Sequence, residues 1–268
     1  MENYSYPDDS DKITTSLICE NEPFSGYWAK SEKKILNLMK RYTEEYTDNR
    51  NNTWFLDAGC GTGRLLSEFE RFFDQILAID PDPIQIDKTN SLVESQGIAK
   101  KVTSRISSIE KLVWDSESVD IILCSHILQH VHTNNVLLIL KKFYELLRTE
   151  GLLFIMTCHS GEDNDYYIKG YLKNSKAIEE RIEKEEFNNL VINQRSILPI
   201  HFFTYDTLFE LLESTGFKII DYRSFHIVRK IPLFDRIIDR DKFANSFTSL
   251  KKKMGRDMFI AGVKISTI

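Results

Sequence analysis

Trp54-Phe55-Leu56-Asp57-Ala58-Gly59-Cys60-Gly61-Thr62-Gly63-Arg64 is a short apolar run that ends in an acid and continues into glycines at alternate positions. A helix-like stretch over 64–72 comes next. The order reads as strand, tight turn and helix start. Glycine lets the backbone turn sharply and approach a ligand, because no Cβ stands in the way. Amides at a helix start then face polar ligand groups. Spacing separates this loop from two phosphate binders. A nicotinamide fingerprint is G-x-G-x-x-G, and a phosphate-cradling loop is G-x-x-x-x-G-K-[ST]. Here the spacing is G-x-G-x-G, and no lysine follows Gly63.

Ile76-Leu77-Ala78-Ile79-Asp80 is a second apolar run closed by an acid. A carboxylate at the tip of a second strand can accept hydrogen bonds from both hydroxyls of a ribose. Its plainer role is to cap the strand end. Pro81-Asp82-Pro83 stops the strand, with Asp82 as helix N-cap and Pro83 as first helical residue.

The chain's 268 residues suffice for one large domain or a decorated core. Hydrophobic residues make up 42% and charged residues 28%, a balance that supports a buried core. A net charge of −5 gives no electrostatic footprint for nucleic acid. No stretch approaches the length of a membrane span, and the polar, acidic N-terminus is unlike a secretory signal. Cys19, Cys60, Cys124 and Cys158 are too scattered for a disulfide scaffold or a zinc site, so a reducing, cytoplasmic setting is expected.

Residues 1–25 show no period and read as an irregular leader. An amphipathic helix over 28–46 carries Ile35, Leu38, Met39 and Tyr42 on one face. From 53 onward strands (54–57, 76–80, 102–106, 119–124, 152–157) alternate with helices (64–72, 83–96, 135–147, 205–215). That alternation predicts a parallel sheet covered by helices on both faces. A sixth strand begins at 218–222, and 259–265 is the seventh, antiparallel at the sheet edge. The stretch 161–200 breaks the rhythm. Its Glu- and Lys-rich middle, 177–190, is expected to be a helix, making the insertion a helical roof over the ligand end. The division expected is a leader and cap helix over 1–50 and a core over 51–268.

In this order the segments resemble the small-molecule branch of the class I S-adenosylmethionine-dependent methyltransferases, over roughly 26–268. The resemblance rests on the 57–63 loop and Asp80. It rests also on Val119-Asp120-Ile121-Ile122-Leu123-Cys124-Ser125-His126-Ile127-Leu128-Gln129-His130-Val131, on Leu147-Arg148-Thr149-Glu150-Gly151-Leu152-Leu153-Phe154 and on 204–221. It implies a Rossmann-like, doubly wound α/β sheet of seven strands, mostly parallel with the last antiparallel, and S-adenosyl-L-methionine as cofactor. Asp57 would lie near the methionine end. Gly59, Cys60, Gly61 and Gly63 would pack under the cofactor, Asp80 and Pro81 at the ribose, and Ser125 at the end of strand four. Tyr27 and Trp28 would either fold over the cofactor or anchor the leading helix. One departure stands at the adenine: where the family often has Asp after strand three, this chain has Ser107, Ser108 and Ile109. Ser107 accepts a hydrogen bond without charge assistance, the Ser108 amide can meet the purine, and Ile109 can pack on its face.

Methyl transfer from a sulfonium needs an oriented acceptor and little else, since the donor carries its own activation. A base is needed only for an acceptor that holds its proton near neutral pH. His126, His130 and His159 fall at the ends of strands four and five and are the candidate acceptor contacts; His201 follows the insertion. His126 and His130 have H-x-x-x-H spacing, but no Glu follows His126 and no third ligand is evident, so no metal is expected. The bland role of His130 is a helix-start hydrogen bond. The leading reading is methylation of a small molecule by an enzyme, with aromatics and an insertion enclosing the acceptor. Alternatives are methylation of a protein or tRNA, and a non-catalytic cofactor-binding regulatory subunit. A nicotinamide oxidoreductase is disfavoured by the glycine spacing.

Overall fold

In the computed structural model, the described residues are Ile13, 26–193, 196–227 and 239–266. The expected irregular leader and Cys19 lie outside them, save for Ile13, which is buried beside Ile168, Leu198 and Ile200.

The strands are β1 (Trp54–Ala58), β2 (Gln75–Asp80), β3 (Val102–Ile106), β4 (Val119–Ser125), β5 (Leu147–Cys158), β6 (Tyr166–Lys173), β7 (Lys176–Ile182), β8 (Leu198–Phe202), β9 (Phe217–Phe225) and β10 (Asp257–Lys264). Seven form one sheet in the order β3-β2-β1-β4-β5-β10-β9. The first five are parallel, and β10 runs antiparallel to both its neighbours. The order in which strands are added across the sheet reverses between β1 and β4, which opens a crevice at their carboxyl ends.

Buried parallel strands are apolar on both faces, and successive side chains alternate between them. Leu56, Leu77, Ile122 and Leu153 join one core with Val136, Leu140 and Phe143 of helix Thr133–Leu146. Phe55, Ile76, Ile121 and Leu152 join the other, against Ile35 and Met39 of helix Tyr27–Thr47. The leading helix is thus built into one face of the core. After β2, Asp82 Oδ1 accepts from the Ile84 amide at 2.8 Å and Pro83 opens helix Pro83–Ser95, as the sequence predicts.

Two expectations are corrected. The last strand is no edge: β10 lies between β5 and β9. Its Met258, Phe259, Ile260 and Ala261 are buried on both faces, which only an interior place satisfies. Nor is the insertion helical throughout. Residues 177–182 belong to β7, in a three-stranded antiparallel sheet β7-β6-β8, and the helix spans only Lys184–Asn193. Helix propensity of Glu and Lys loses here to cross-strand pairing. Tyr171 faces Ile178, Lys169 faces Glu180, and Tyr167 faces Ile182. Asn174 and Ser175, at φ 51° and 61°, make the two-residue turn that a twisted hairpin favours. The insertion is fastened to the core twice. Pro199 carbonyl accepts from His130 Nδ1 at 2.7 Å, and Asn188 Oδ1 accepts from the Thr133 amide at 3.0 Å.

A buried pair joins the two chain ends of the core. His226 Nδ1 faces Asp257 Oδ2, and His226 Nε2 lies 3.2 Å from the Trp28 carbonyl. Burial pushes the Asp257 carboxyl up, but the His226 hydrogen bond and charge outweigh it and hold the group at about 2. The folded value lies below the unfolded one. The stabilisation, about 2 kcal/mol, is therefore complete above the unfolded carboxyl range and disappears as pH falls through about 2. Asp257→Asn is expected to lower stability most at pH 6, with roughly half of the gap closed by pH 3. Urea unfolding at the two pH values checks this; a gap that does not shrink refutes it.

Candidate active site

The glycine loop folds back over the end of β2. Gly59 and Cys60 amides both donate to the Ile79 carbonyl at 2.9 Å. The Gly61 amide donates to Asp80 Oδ2 at 3.0 Å, and the Asp82 amide donates to Asp80 Oδ1 at 2.9 Å. Asp80 is buried and thereby couples the glycine loop to the start of the next helix. Thr89 Oγ1, from that helix, donates to the Gly61 carbonyl at 2.7 Å. Cys60 is buried, with Sγ 3.7 Å from Thr89 Oγ1, and the Gly63 amide donates back to the Cys60 carbonyl at 2.9 Å. Nothing in the sequence marked Thr89, because a helix position alone carries no sign of which loop it faces. Across the loop Arg64 forms two hydrogen bonds with Glu32 of the leading helix, at 2.8 and 3.1 Å.

Asp57, next to last in β1, is buried, and its Oδ2 has no hydrogen-bond partner among the described residues. Burial raises the carboxyl to about 7; Arg64 opposes the rise and Asp80 adds to it. A buried, unmet carboxylate oxygen is expensive by itself, so it marks a place prepared for a donor.

A cavity of about 450 Å³ opens at the carboxyl edge of the sheet. Gly59 and Pro81 form one wall, and Ser107, Ser108 and Ile109 a second. Ile127 and His130 stand opposite, and Val191 and Ile192 reach in from the insertion helix. The Ser107 hydroxyl donates to the Ser108 carbonyl at 2.9 Å, which leaves its oxygen as an acceptor. Ser108 Oγ is buried with no partner among the described residues. The mouth carries two apolar lips, Ile106 at 59% exposure and Ile192 at 66%. A run of Glu and Lys in the insertion gave no hint that its helix would offer Val191 and Ile192 to this cavity.

The three candidate histidines are not brought together. His130 is enclosed: Nδ1 bonds to Pro199, Nε2 is 3.1 Å from Gln129 Nε2, and burial lowers the group to about 4. Its Nδ1 bond fastens the insertion, whereas the helix-start hydrogen bond expected of it is made by His132, whose Nδ1 accepts from the Asn134 amide at 3.2 Å. His126 takes the left-handed conformation, φ 57°, with Nδ1 3.3 Å from Gln129 Oε1. Ser125, just before it at the end of β4, is half-buried beside Met156 of β5. His159 follows β5, apart from the other two; burial lowers it to about 4 as well. His201 is held by Asp165 at 2.8 Å and packs on Phe203, with ring centroids 3.6 Å apart.

Tyr27 donates to Asp241 Oδ1 at 2.7 Å and accepts from the Ile227 amide at 2.9 Å. Trp28 is buried with its ring 4.0 Å from that of His226. Both side chains anchor the leading helix in this structure. Among the described residues, no cluster of His, Cys, Asp and Glu has the makings of a metal site, and no helix is long and apolar enough to cross a membrane.

Comparison with known proteins bears on this geometry. The family described as a methyltransferase domain matches residues 27–222. Carboxy-S-adenosyl-L-methionine synthase of Wolinella succinogenes is 28% identical over 182 residues, covering 61% of this chain and 74% of that protein. Ubiquinone biosynthesis O-methyltransferase of Methylocella silvestris is 32% identical over 102 residues, covering only 38% of each chain. Among solved structures, the 1,6-didemethyltoxoflavin-N1-methyltransferase of Burkholderia thailandensis has the same fold. The TM-score is 0.54 at 15% identity, over 99% of this chain and 93% of the other. A match that runs from the leading helix into β9 makes the chain a member of the methyltransferase domain family, and within it a class I S-adenosylmethionine-dependent methyltransferase.

Proposed function

We propose that this chain transfers a methyl group from S-adenosylmethionine to a small-molecule acceptor. The carrying observation is the unmet, buried Asp57 oxygen beside a glycine loop whose backbone is held to Asp80. The residues fit the cofactor. Asp57 would receive the ammonium of its methionine end, and Gly59 and Gly61 would lie under it. Asp80 would meet the ribose, since each carboxylate oxygen has more than one acceptor direction. Pro81, Ser107, Ser108 and Ile109 would enclose the adenine in the 450 Å³ cavity. The bound cofactor supplies an activated methyl group, and the protein holds the acceptor in line and keeps water away. An insertion fastened at His130 and Asn188 closes one side of the site, which favours an enclosed small molecule over a flat macromolecular surface.

Calorimetry with S-adenosylhomocysteine is expected to show binding, and with NAD none. Asp80→Ala is expected to weaken S-adenosylhomocysteine by about 1–3 kcal/mol, roughly 5- to 150-fold, through lost charge-assisted hydrogen bonds and a loosened loop. Wild-type affinity in that variant would count against Asp80 as a cofactor ligand. A second reading follows from the Wolinella relative, whose name is carboxy-S-adenosyl-L-methionine synthase: formation of a carboxylated S-adenosylmethionine. Mass spectrometry of the nucleoside after turnover separates the two. S-adenosylhomocysteine supports methyl transfer, and a carboxylated sulfonium supports the alternative.

A further inference from the structure

The wall that Ser107, Ser108 and Ile109 give to the 450 Å³ cavity has a fixed backbone and hydroxyls that can turn. The Ser107 amide donates to the Asp80 carbonyl at 3.0 Å, and the Lys111 amide donates to the Ser108 carbonyl at 3.2 Å. The Ser107 hydroxyl gives its hydrogen to that same Ser108 carbonyl, at 2.9 Å, and rotation about one bond redirects it. Ser108 Oγ has no partner among the described residues, so nothing among them fixes its hydrogen. Asn135, in the first turn of helix Thr133–Leu146, lines the same cavity and offers one donor group and one acceptor. Among the described residues that line it, one is an acid, Glu110, and it is exposed.

Adenine and its 6-oxo counterpart, hypoxanthine, differ along one edge only. Adenine donates from its 6-amino group and accepts at N1. Hypoxanthine accepts at O6 and donates from N1. An ionised carboxylate can only accept, so it takes the amino group and repels the oxygen. A serine hydroxyl donates or accepts as required, and an asparagine amide presents either end. The rest of the lining is indifferent to that edge. Ile109 and Ile127 offer apolar surface to ring faces that the two bases share. The His132 Nδ1 accepts from the Asn134 amide, which leaves the proton of a neutral ring on Nε2. A fixed donor of that kind, or the Ser108 amide, can meet N3 or N7, which accept in both bases.

We propose that Ser107 and Ser108 make the site tolerant of the purine's 6-substituent, so that it binds nucleosides with a 6-oxo base as well as those with a 6-amino base. The proposal rests on the cofactor reading given above and concerns the breadth of that site. The base and the sulfonium stand at opposite ends of the nucleoside, with the ribose between them. A donor with a 6-oxo base therefore carries the same activated methyl group, and the class of donor widens from adenine to 6-oxo purine.

The size of the effect decides whether it can be seen. A carboxylate set against O6 leaves two acceptors unmet away from water, which lowers affinity by roughly 5- to 150-fold. Sites built on one fixed hydrogen-bond pattern reject the wrong analogue by larger factors still. A hydroxyl that turns keeps a hydrogen bond to either base, so what remains is the difference between two neutral bonds, about fivefold or less.

Calorimetry on the full chain with S-adenosylhomocysteine and S-inosylhomocysteine tests this. The wild-type protein is expected to bind the two within about fivefold of each other. Ser108→Asp should open a preference for S-adenosylhomocysteine of about 30-fold or more, and Ser107→Asp serves the same purpose should the first variant fail to fold. Ile109→Ala removes a packing surface common to both bases, so it should weaken both nucleosides by the same factor. A wild-type preference for S-adenosylhomocysteine above about 30-fold overturns the proposal and leaves the cofactor reading standing. So does a folded aspartate variant that binds the two as evenly as the wild-type protein, or an Ile109→Ala variant with both affinities unchanged. Wild-type protein that binds neither nucleoside removes the cofactor reading itself, and the proposal with it.

Discussion

At pH 8 the Asp57→Asn variant is expected to be more stable than the wild-type protein, yet to bind S-adenosylhomocysteine about 10- to 100-fold more weakly. Burial raises the Asp57 carboxyl to about 7 in the folded chain, against Arg64, which lowers it, and with Asp80, which adds to the rise. In the unfolded chain the same group ionises near the ordinary carboxylate value of about 4. Folding therefore loses stability as pH climbs from about 4 to about 7, and by pH 8 the loss is complete, about 4 kcal/mol. Asparagine has the same shape and no charge to bury. Its amide still needs partners, which costs about 1–3 kcal/mol. The net gain at pH 8 is therefore about 1–3 kcal/mol, and at pH 3, where the acid is protonated in the folded and mostly in the unfolded chain, the order reverses. Urea unfolding at both pH values should show the two proteins crossing. In the wild-type protein the ligand's ammonium would draw Asp57 into its ionised form, so binding at pH 6 should release part of a proton. Calorimetry in two buffers of different ionisation enthalpy reads that release, and the asparagine variant should lack it. Parallel stability curves, or equal proton release in both proteins, would refute the role given to Asp57.

The core of this fold was legible because its strands are buried on both faces and carry punctuation. Asp57, Asp80 and Ser125 stand where apolar runs end, and Asp82-Pro83 opens the next helix as its residues require. The insertion was illegible for the opposite reason. Its β7 is mostly exposed, so composition rather than periodicity dominated the reading, and Glu and Lys favour helices. Its turn, Asn174-Ser175, is a weak hairpin signal beside Asn-Gly.

Site chemistry was visible only where the partners are near in sequence. Asp80 meets Gly61 and Asp82 within one strand–loop–helix unit. His130 could not be judged without Pro199, nor His159 without Gly255, nor Trp28 without His226, all of which come from distant segments. Three histidines at one sheet edge looked alike in the chain. In the structure one is a fastening, one is turned by a left-handed backbone, and one keeps an unmet nitrogen.

Gly61→Val is expected to reduce S-adenosylhomocysteine affinity by at least about 100-fold while the protein remains folded. Gly61 has φ +54°, and a Cβ built on it meets nothing within 4 Å. The fold therefore sets aside the space above this residue without filling it. A valine there strains the backbone by about 1–3 kcal/mol and puts two methyl groups where the cofactor would lie. Strain and obstruction can be told apart with Gly97→Val. Gly97 also has a positive φ, +72°, and open surroundings, but it follows the helix after β2, outside the glycine loop. Both variants should lose similar stability in urea, and only Gly61→Val should lose the ligand. Gly59→Ala makes a third case. Its Cβ would come within 2.3 Å of Ile127 Cδ1 at φ +79°, so Ile127 must swing toward the 450 Å³ cavity that it lines. That variant is expected to lose stability and affinity together. If Gly61→Val and Gly97→Val bind S-adenosylhomocysteine equally well, the open space over Gly61 is not the cofactor's, and the glycine loop has been given the wrong ligand.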